Sequence, residues 1–247
     1  MAEQRRTILR ERMDVLQWTA RVGAVTAEAL AGRQRTTVAT ARSRLRAAEQ
    51  RGLLSRQAPL AGRPALYTIT SAGLRASDAR GLEPARVSPA NASHLIVCAW
   101  VAAALERCYP DHSVLGEREL RRDERECGKP LASAVLGRGR DGQPLVHRPD
   151  LVLWPAGVDA GGLPVAVEVE LTVKSPRRLA GICLAWARCR CVAGVLYLVA
   201  PGVERAVARA LAQVDAAERI VVVPLAALPP APGPPAPASA DAVAADA

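Results

Sequence analysis

The chain has 247 residues, a net charge of +9 and a hydrophobic content of 50%, so it is long and apolar enough to bury the cores of two small domains. Its charged N-terminus argues against a signal peptide, and its two longest apolar runs are too short, or too interrupted by arginine, to cross a membrane. Six cysteines without a CxxC pair argue against a zinc or disulfide framework and predict reduced thiols in a cytoplasmic protein.

The positive charge is concentrated near the N-terminus. Residues 1–80 contain fifteen arginines against six acidic residues, and residues 81–247 are neutral overall. We therefore expect a first domain, over residues 1–83, that binds a polyanion.

Two helices are predicted at the start of this first domain. The first runs from Arg5 to about Val22. Thr26 is the expected N-cap of a short second helix, Ala27 to Ala31, and Gly32 is expected to end it.

A third helix and a strand pair complete a predicted winged helix-turn-helix. The helix runs from Thr37 to about Gln50, and its polar, cationic face suits the major groove of DNA. Strands over 53–57 and 65–70 flank a turn and form the predicted wing. The candidate DNA contacts are Arg35, Thr40, Arg42, Ser43, Arg44, Arg46, Arg56 and Arg63. The alternative is a winged helix used for protein contact, with ordinary solvated arginines.

A linker over residues 84–92 is predicted to lead to a second domain, residues 93–228. Ser93 is the expected N-cap of an apolar helix that ends near Cys108, and His94 is interpreted as a surface or capping residue. The Pro/Ala-rich segment 229–247 is expected to be a disordered tail.

The rest of the second domain is predicted to alternate strands, loops and helices. A first strand is expected over 114–120, and the charged segments 121–126 and 137–142 are expected to be surface loops. After a central hairpin, the predicted elements are a helix to about Arg188, a strand over 191–200, a helix over 203–217 and a strand over 219–223.

The central hairpin carries the acidic residues. Side chains alternate along its second strand, so Glu168 and Glu170 share one face, and Asp150 begins the partner strand. Hard oxygen ligands grouped in this way suit Mg²⁺ or Mn²⁺, with Asp150 and Glu168 as the metal ligands. The simpler alternative is that both glutamates lie on the solvated face of an edge strand and that Lys174 pairs with one of them.

Lys174 is one of only two lysines, against 31 arginines. This bias suggests that its compact ammonium is needed beside the acids, where it can approach a scissile phosphate as a point charge. Ser175 as N-cap and Pro176 as the first helical residue predict a helix whose positive end adds to a phosphate seat.

Asp150 in His-Arg-Pro-Asp, followed by Glu168 and a nearby lysine in Glu-Val-Glu-Leu-Thr-Val-Lys-Ser, resembles the PD-(D/E)xK nuclease superfamily. The wider chain resembles the replication-relaxation proteins of actinobacterial plasmids and integrative elements, which join a winged helix-turn-helix to such a domain. The resemblance implies an α+β chain with a restriction-endonuclease-like αβββαβ domain that acts on double-stranded DNA. It also implies the catalytic set Asp150, Glu168, Glu170 and Lys174, and an early acidic ligand for which Glu106, Glu117 and Glu119 compete.

The sequence departs from this pattern at one position, because Glu170 stands where the superfamily has its lysine and Lys174 follows four residues later. An active protein is expected to cut or nick DNA during plasmid or mobile-element replication or transfer. The alternatives are a non-catalytic DNA-binding regulator or replication factor with a degenerate nuclease fold, and a transcriptional repressor with a ligand-sensing C-terminal domain. A homodimer is left open.

Overall fold

The computed structural model describes residues 2–155, 162–216 and 218–228, and within them the chain is a mixed α+β protein, as expected. Two predicted features lie outside the described residues: the tail over 229–247 and most of the loop of the central hairpin.

The N-terminal elements combine helices with a three-stranded antiparallel sheet of order β1-β3-β2. In chain order they are α1 (Ala2–Val22), β1 (Ala24–Val25), α2 (Ala27–Gln34), α3 (Val38–Gln50), β2 (Leu54–Gln57), β3 (Leu66–Ile69) and α4 (Ser71–Ala76). The three helices and two strands predicted here are present. Strand β1 was not predicted, because a two-residue strand is too short to show a periodic pattern.

Threonine side chains begin three of these helices. The hydroxyls of Thr26, Thr37 and Thr70 each accept a hydrogen bond, 3.1 Å long, from the backbone N–H three residues on, which confirms the cap predicted at Thr26. The helix end predicted at Gly32 is wrong, since α2 continues to Gln34, and the C-cap residue Arg35 adopts the left-handed conformation at φ 51°. A glycine inside a helix costs only about 1 kcal/mol, and the burial of α2 outweighs this cost.

The remaining elements surround a five-stranded mixed sheet of order β10-β9-β8-β7-β4. They are α5 (Pro89–Cys108), β4 (His112–Gly116), α6 (Glu117–Cys127), β5 (Ala134–Arg138), β6 (Pro144–His147), β7 (Leu151–Pro155), β8 (Val165–Glu170), α7 (Pro176–Arg188), β9 (Gly194–Val199), α8 (Glu204–Val214), β10 (Ile220–Pro224) and the 3-10 helix Leu225–Ala227. Strands β4, β7 and β8 are antiparallel, and β8, β9 and β10 are parallel. The central hairpin is thus β7 and β8.

The start of α5 differs from its prediction. The helix begins at Pro89, inside the segment expected to be a linker, and Ser88 rather than Ser93 is its N-cap. The backbone N–H of Ser88 donates to the side-chain oxygen of Asn91, 2.8 Å away, which closes the first turn. A proline just after a serine is a strong start signal, and Pro89 lies five residues before His94, the predicted first helical residue.

Of the two surface loops predicted beyond α5, one is regular structure and the other is a loop for most of its length. The charged segment 121–126 belongs to α6, where Glu117 pairs with Arg121 at helical spacing and Glu119 lies 3.5 Å from Arg122. The segment 137–142 includes the last two residues of β5, and its residues 139–142 belong to the loop that connects β5 to β6, as expected. The strand predicted over 114–120 therefore ends at Gly116, as β4.

Helix α5 is the layer shared by both parts of the molecule. It packs against α2 and β1 on one side and against β4, β7 and β8 on the other. Its buried residues include Ala99, Val101, Ala102 and Leu105, and they join residues of α1, α2, β7 and β8 in one continuous core. The small alanines allow neighbouring backbones to approach closely, so the N-terminal elements and the large sheet fold around one helix.

A polar cluster joins the C-terminal end of α5 to helices α1 and α2. Glu106 accepts hydrogen bonds from Trp18 Nε1 at 3.0 Å and from Arg33 Nε at 2.5 Å, and Arg33 Nη1 donates to Asp14 at 2.6 Å. The Arg33 guanidinium also lies over the Trp18 ring, 5.3 Å from its centroid. Glu106, which the resemblance offered as an early metal ligand, is therefore engaged with the N-terminal helices.

Replacing Glu106 with Ala should lower the free energy of unfolding by about 2 kcal/mol, because Arg33 and the Trp18 ring nitrogen would lose a partly buried partner. Urea unfolding followed by circular dichroism measures this loss. The matched control is Glu126→Ala, at an exposed position of α6 with no ion pair among the described residues, which should change stability by less than about 0.5 kcal/mol. Equal effects of the two substitutions would contradict the assignment.

Candidate functional site

A groove of about 580 Å³ opens where the end of β6, the start of β7 and the end of β8 meet the N-terminal halves of α5 and α6. All four residues of the predicted catalytic set line it: Asp150, Glu168, Glu170 and Lys174. The other polar side chains of the lining are Ser93, His94, Glu117, Arg121, His147, Arg148 and Thr172.

Asp150 connects three elements of the groove. Its Oδ2 atom accepts a 2.7 Å hydrogen bond from the backbone N–H of Val169 in β8, and its Oδ1 atom lies 2.8 Å from His94 Nε2 in α5. Its backbone carbonyl accepts the N–H of Glu117, 3.1 Å away, at the start of α6. Asp150 directly precedes β7, as predicted, and it is held from both sides.

Glu168 is buried, with 5% of its surface exposed. Its Oε1 atom lies 2.7 Å from His147 Nε2 and accepts a 2.9 Å hydrogen bond from Trp186 Nε1 in α7. Its Oε2 atom has no hydrogen-bond partner in the part of the chain that the structure describes. Burial raises the pKa of Glu168, and the two donors offset part of this increase.

Glu170 is also buried, with 4% of its surface exposed, and it forms an ion pair with Lys174. The alternative of a solvated face on an edge strand is therefore wrong, because β8 lies between β7 and β9 and both glutamates are covered. The part of that alternative that pairs Lys174 with a glutamate is correct. Lys174 precedes α7, whose predicted cap at Ser175 and first residue Pro176 are confirmed by position.

His94 is a groove residue that was not predicted from the sequence. The true start of α5 at Pro89 places His94 on the second turn of the helix, with Cys98 one turn further on the same face. The Sγ atom of Cys98 lies 3.4 Å from His94 Nε2, and the nearest ligand atoms of His94, Cys98 and Asp150 are all within 4.8 Å of one another. The hydrogen bond to Asp150 raises the pKa of His94, and burial raises that of the Cys98 thiol. The four-residue spacing of His94 and Cys98, which places both on one face of a helix, is the sequence signal for this cluster.

His147 was also not assigned a role, although it opens the segment that carries the resemblance. It lies over the groove and makes an edge contact with Trp186, with ring centroids 5.9 Å apart. Burial alone would lower the pKa of His147, but the hydrogen bond and charge of Glu168 outweigh it, so the pKa is raised. The next residue, Arg148, pairs with the buried Glu124 at 2.9 Å and thereby supports the segment.

The two remaining candidates for an early acidic ligand differ in position. Glu117 lines the groove, and its carboxylate pairs with Arg121. Glu119 points toward Arg21 and Arg122 instead, at 3.6 and 3.5 Å. Only Glu117 is therefore placed to reach the groove.

The donor set fits a divalent cation. Carboxylates of Asp150 and Glu168 face one groove, and Glu168 keeps one oxygen without a partner among the described residues, as a hard cation needs. His94 and Cys98 add softer nitrogen and sulfur donors beside Asp150, which suit a transition metal better than Mg²⁺. In the structure the carboxylates of the predicted catalytic set are paired with His94, His147 and Lys174, so a bound cation would compete with these three side chains.

Seven of the eight predicted DNA contacts are exposed. Arg35 ends α2, Thr40, Arg42, Ser43 and Arg46 lie on α3, Arg56 lies on β2, and Arg63 lies in the following turn. Arg44 is the exception, because it pairs with Glu11 at 2.8 Å and donates to Gln34 at 2.7 Å. Its guanidinium ties α3 to α1 and α2, and its contact with DNA stays a prediction.

Comparisons with protein-family models, with curated proteins and with solved structures returned no match. Within the described ranges, no helix combines the length and the apolar character that a membrane span requires.

The raised pKa of His147 leads to a prediction for the pH dependence of the groove. A base whose pKa is raised on folding adds stability below its ordinary value of 6.5, and this stability is lost as the pH rises through the folded pKa. In an NMR titration of the three histidines, we expect His147 to titrate above 6.5. The Glu168→Gln variant should bring His147 below that value, since burial then dominates.

The matched control is Asp150→Asn, which should lower the pKa of His94 strongly and that of His147 only slightly. A His147 titration that does not change in the Glu168→Gln variant would contradict the pairing.

Proposed function

We propose that the chain binds duplex DNA through its N-terminal elements and that the groove is a metal-dependent phosphodiesterase site. The observation that carries the proposal is the convergence of Asp150, Glu168, Glu170 and Lys174 in one open groove. Asp150 is held there by His94 of α5, so the residues are brought together by tertiary packing as well as by the hairpin.

The order of elements supports the proposal. Helix α5, the antiparallel strands β4, β7 and β8, helix α7 and the parallel strand β9 follow one another as expected for a restriction-endonuclease-like core. Helix α6 and the β5–β6 hairpin are insertions into that order between β4 and β7. The N-terminal order of three helices and a strand pair likewise suits a winged helix-turn-helix.

In this proposal Asp150 and Glu168 hold Mg²⁺ or Mn²⁺, which when bound supplies positive charge to the phosphate and activates water. Asp150 is oriented for this role by the Val169 N–H, and Glu168 by Trp186 and His147. Glu170 holds the Lys174 ammonium at the rim of the groove, from which it can contact a phosphate oxygen. The displaced lysine thus reaches the groove from the segment before α7.

The second candidate is a non-catalytic DNA-binding regulator or replication factor, and one observation favours it. Each carboxylate of the set already has a basic partner: His94 for Asp150, His147 for Glu168 and Lys174 for Glu170. Such pairs hold the groove together without a cation, so the same residues suit a structural role. In either version, a place in plasmid or mobile-element replication or transfer follows only from the resemblance.

The exposed arginines lead to a prediction for DNA binding. If Arg46 contacts a phosphate, Arg46→Gln should weaken duplex binding and reduce the slope of log Kd against log salt by about 1. Arg209→Gln, at an exposed position of α8, is the matched control and should leave the slope unchanged. Fluorescence anisotropy over a salt series measures both, and equal slopes for Arg46→Gln and the unmodified chain would contradict the contact.

Cleavage is tested with supercoiled plasmid in Mg²⁺ or Mn²⁺, with EDTA as the metal-free control. Asp150→Asn keeps the shape of the side chain and an acceptor for Val169, and it should lower the rate of nicking or cutting by roughly 100-fold. DNA binding should not change. Asp111→Asn, at an exposed residue away from the groove lining, should retain full cleavage.

Metal-dependent cleavage by Asp150→Asn at the unmodified rate would overturn the assignment of the groove. DNA binding by the unmodified chain with no cleavage on any substrate or with either metal would favour the non-catalytic candidate.

A further inference from the structure

Two cysteines that the proposed function does not use lie at the end of α7 opposite to Lys174. Cys189 directly follows the last residue of the helix, and Cys191 follows two residues later. Their Sγ atoms are 3.1 Å apart, and both are reduced. Cys189 is 8% exposed and Cys191 is partly exposed, so the pair lies just below the surface.

The surroundings of the pair favour a thiolate. Arg219 is held beside the two sulfurs by its hydrogen bond to the Val192 carbonyl at 2.7 Å, and its positive charge favours a thiolate. The carbonyl oxygen of Ser133, 3.7 and 3.6 Å from the two sulfurs, accepts a hydrogen bond from a thiol that keeps its proton. The thiol hydrogen bond from Cys191, helped by the charge of Arg219, lowers the pKa of Cys189 to about 6, and the same hydrogen bond raises the pKa of Cys191. One sulfur is thus a nucleophile and the other a nearby proton donor.

The other cysteines lack this arrangement. Cys98 is buried and burial raises its pKa, while burial raises that of Cys183 to about 11. Cys108 and Cys127 are exposed, and neither contacts another cysteine within the described residues. Among the described residues, the Cys189–Cys191 pair therefore combines a reactive thiol with a second thiol close enough to form a disulfide with it.

We propose that Cys189 and Cys191 are a redox modification site that small hydroperoxides convert into a reversible intramolecular disulfide. The Cys189 thiolate attacks one oxygen of the peroxide, the O–O bond breaks, and the leaving hydroxide or alkoxide takes a proton. Cys189 is then a sulfenic acid. The Cys191 sulfur attacks the Cys189 sulfur, the S–S bond forms, and the departing hydroxide takes the Cys191 proton as water.

With hydrogen peroxide, two thiols and one peroxide thus give one disulfide and two waters. A small dithiol such as dithiothreitol reverses the reaction by thiol–disulfide exchange. Hydrogen peroxide suits the site because Cys189 is only slightly exposed, so bulky oxidants are disfavoured.

The pair lies close along the chain to Trp186, which contacts a residue of the groove. The backbone N–H of Cys189 donates to the carbonyl of Trp186, 3.1 Å away, and Trp186 Nε1 donates to Glu168. The disulfide would therefore constrain the end of the helix that positions Glu168. This connection does not depend on what the groove does.

Peptide mapping tests the proposal on the full chain. The protein is treated with hydrogen peroxide at about one equivalent, free thiols are blocked with iodoacetamide, and trypsin cuts after Arg188, Arg190 and Arg205. The reduced chain gives separate alkylated peptides, 189–190 and 191–205. The oxidised chain should give both joined in one species, lighter than their unalkylated sum by two hydrogens, and dithiothreitol before blocking should abolish it.

Cys191→Ser should lose the joined peptide completely and accumulate sulfenic or sulfinic acid at Cys189, because the resolving thiol is gone. Cys108→Ser is the matched control and should form the joined peptide as the unmodified chain does. Circular dichroism spectra equal to that of the unmodified chain show that both variants are folded.

The proposal is overturned if Cys108 and Cys127 are oxidised while peptides 189–190 and 191–205 stay separate. It is also overturned if Cys189 oxidises at the same rate and to the same product in the unmodified chain and in Cys191→Ser. Neither outcome depends on DNA binding or cleavage, so the test is independent of the proposed function.

Discussion

The burial of α5 is the constraint on which the rest of the structure depends. A helix that is apolar on nearly all sides has to be covered on all sides, and in this chain α1 and α2 cover one side while β4, β7 and β8 cover the other. The same packing carries His94 and Cys98 to Asp150 at one end and Glu106 to Arg33 at the other. The N-terminal elements are therefore packed on the groove-bearing sheet through a common core.

The groove is an arrangement of three acids, each paired with a base: Glu168 and Glu170 are buried, and Asp150 is partly buried. Three carboxylates close together in an apolar setting repel one another and resist desolvation, so they need compensating charge or hydrogen bonds. His94, His147 and Lys174 provide it, and Trp186 adds a neutral donor to Glu168. A cation that enters the groove has to compete with these partners, so its affinity is expected to depend on their protonation. In the metal-dependent candidate a cation binds the carboxylates in competition with these partners, and in the non-catalytic candidate the partners alone hold the groove together.

Much of the secondary structure could be predicted from the sequence because its signals are local. Threonine and serine caps, proline at a first helical position and period-two alternation in β8 act within a few residues. The errors arose where a local signal had two interpretations. Alternating Glu117 and Glu119 fits a strand as well as the first turn of α6, and only pairing with Arg121 and Arg122 shows the helix. Gly32 is a typical helix-ending residue, but it lies inside buried α2.

The sequence by itself determined that Asp150 stands at the head of one strand and that Glu168 and Glu170 share a face of the next, since side-chain direction along a strand depends on residue parity alone. Only the tertiary structure decided that this face is buried and that His94, 56 residues from Asp150 along the chain, becomes its partner. It also decided that Arg44 is engaged in ion pairing while Arg46 is exposed. Burial and pairing depend on which faces meet, and this choice is made by the packing of the whole chain around α5.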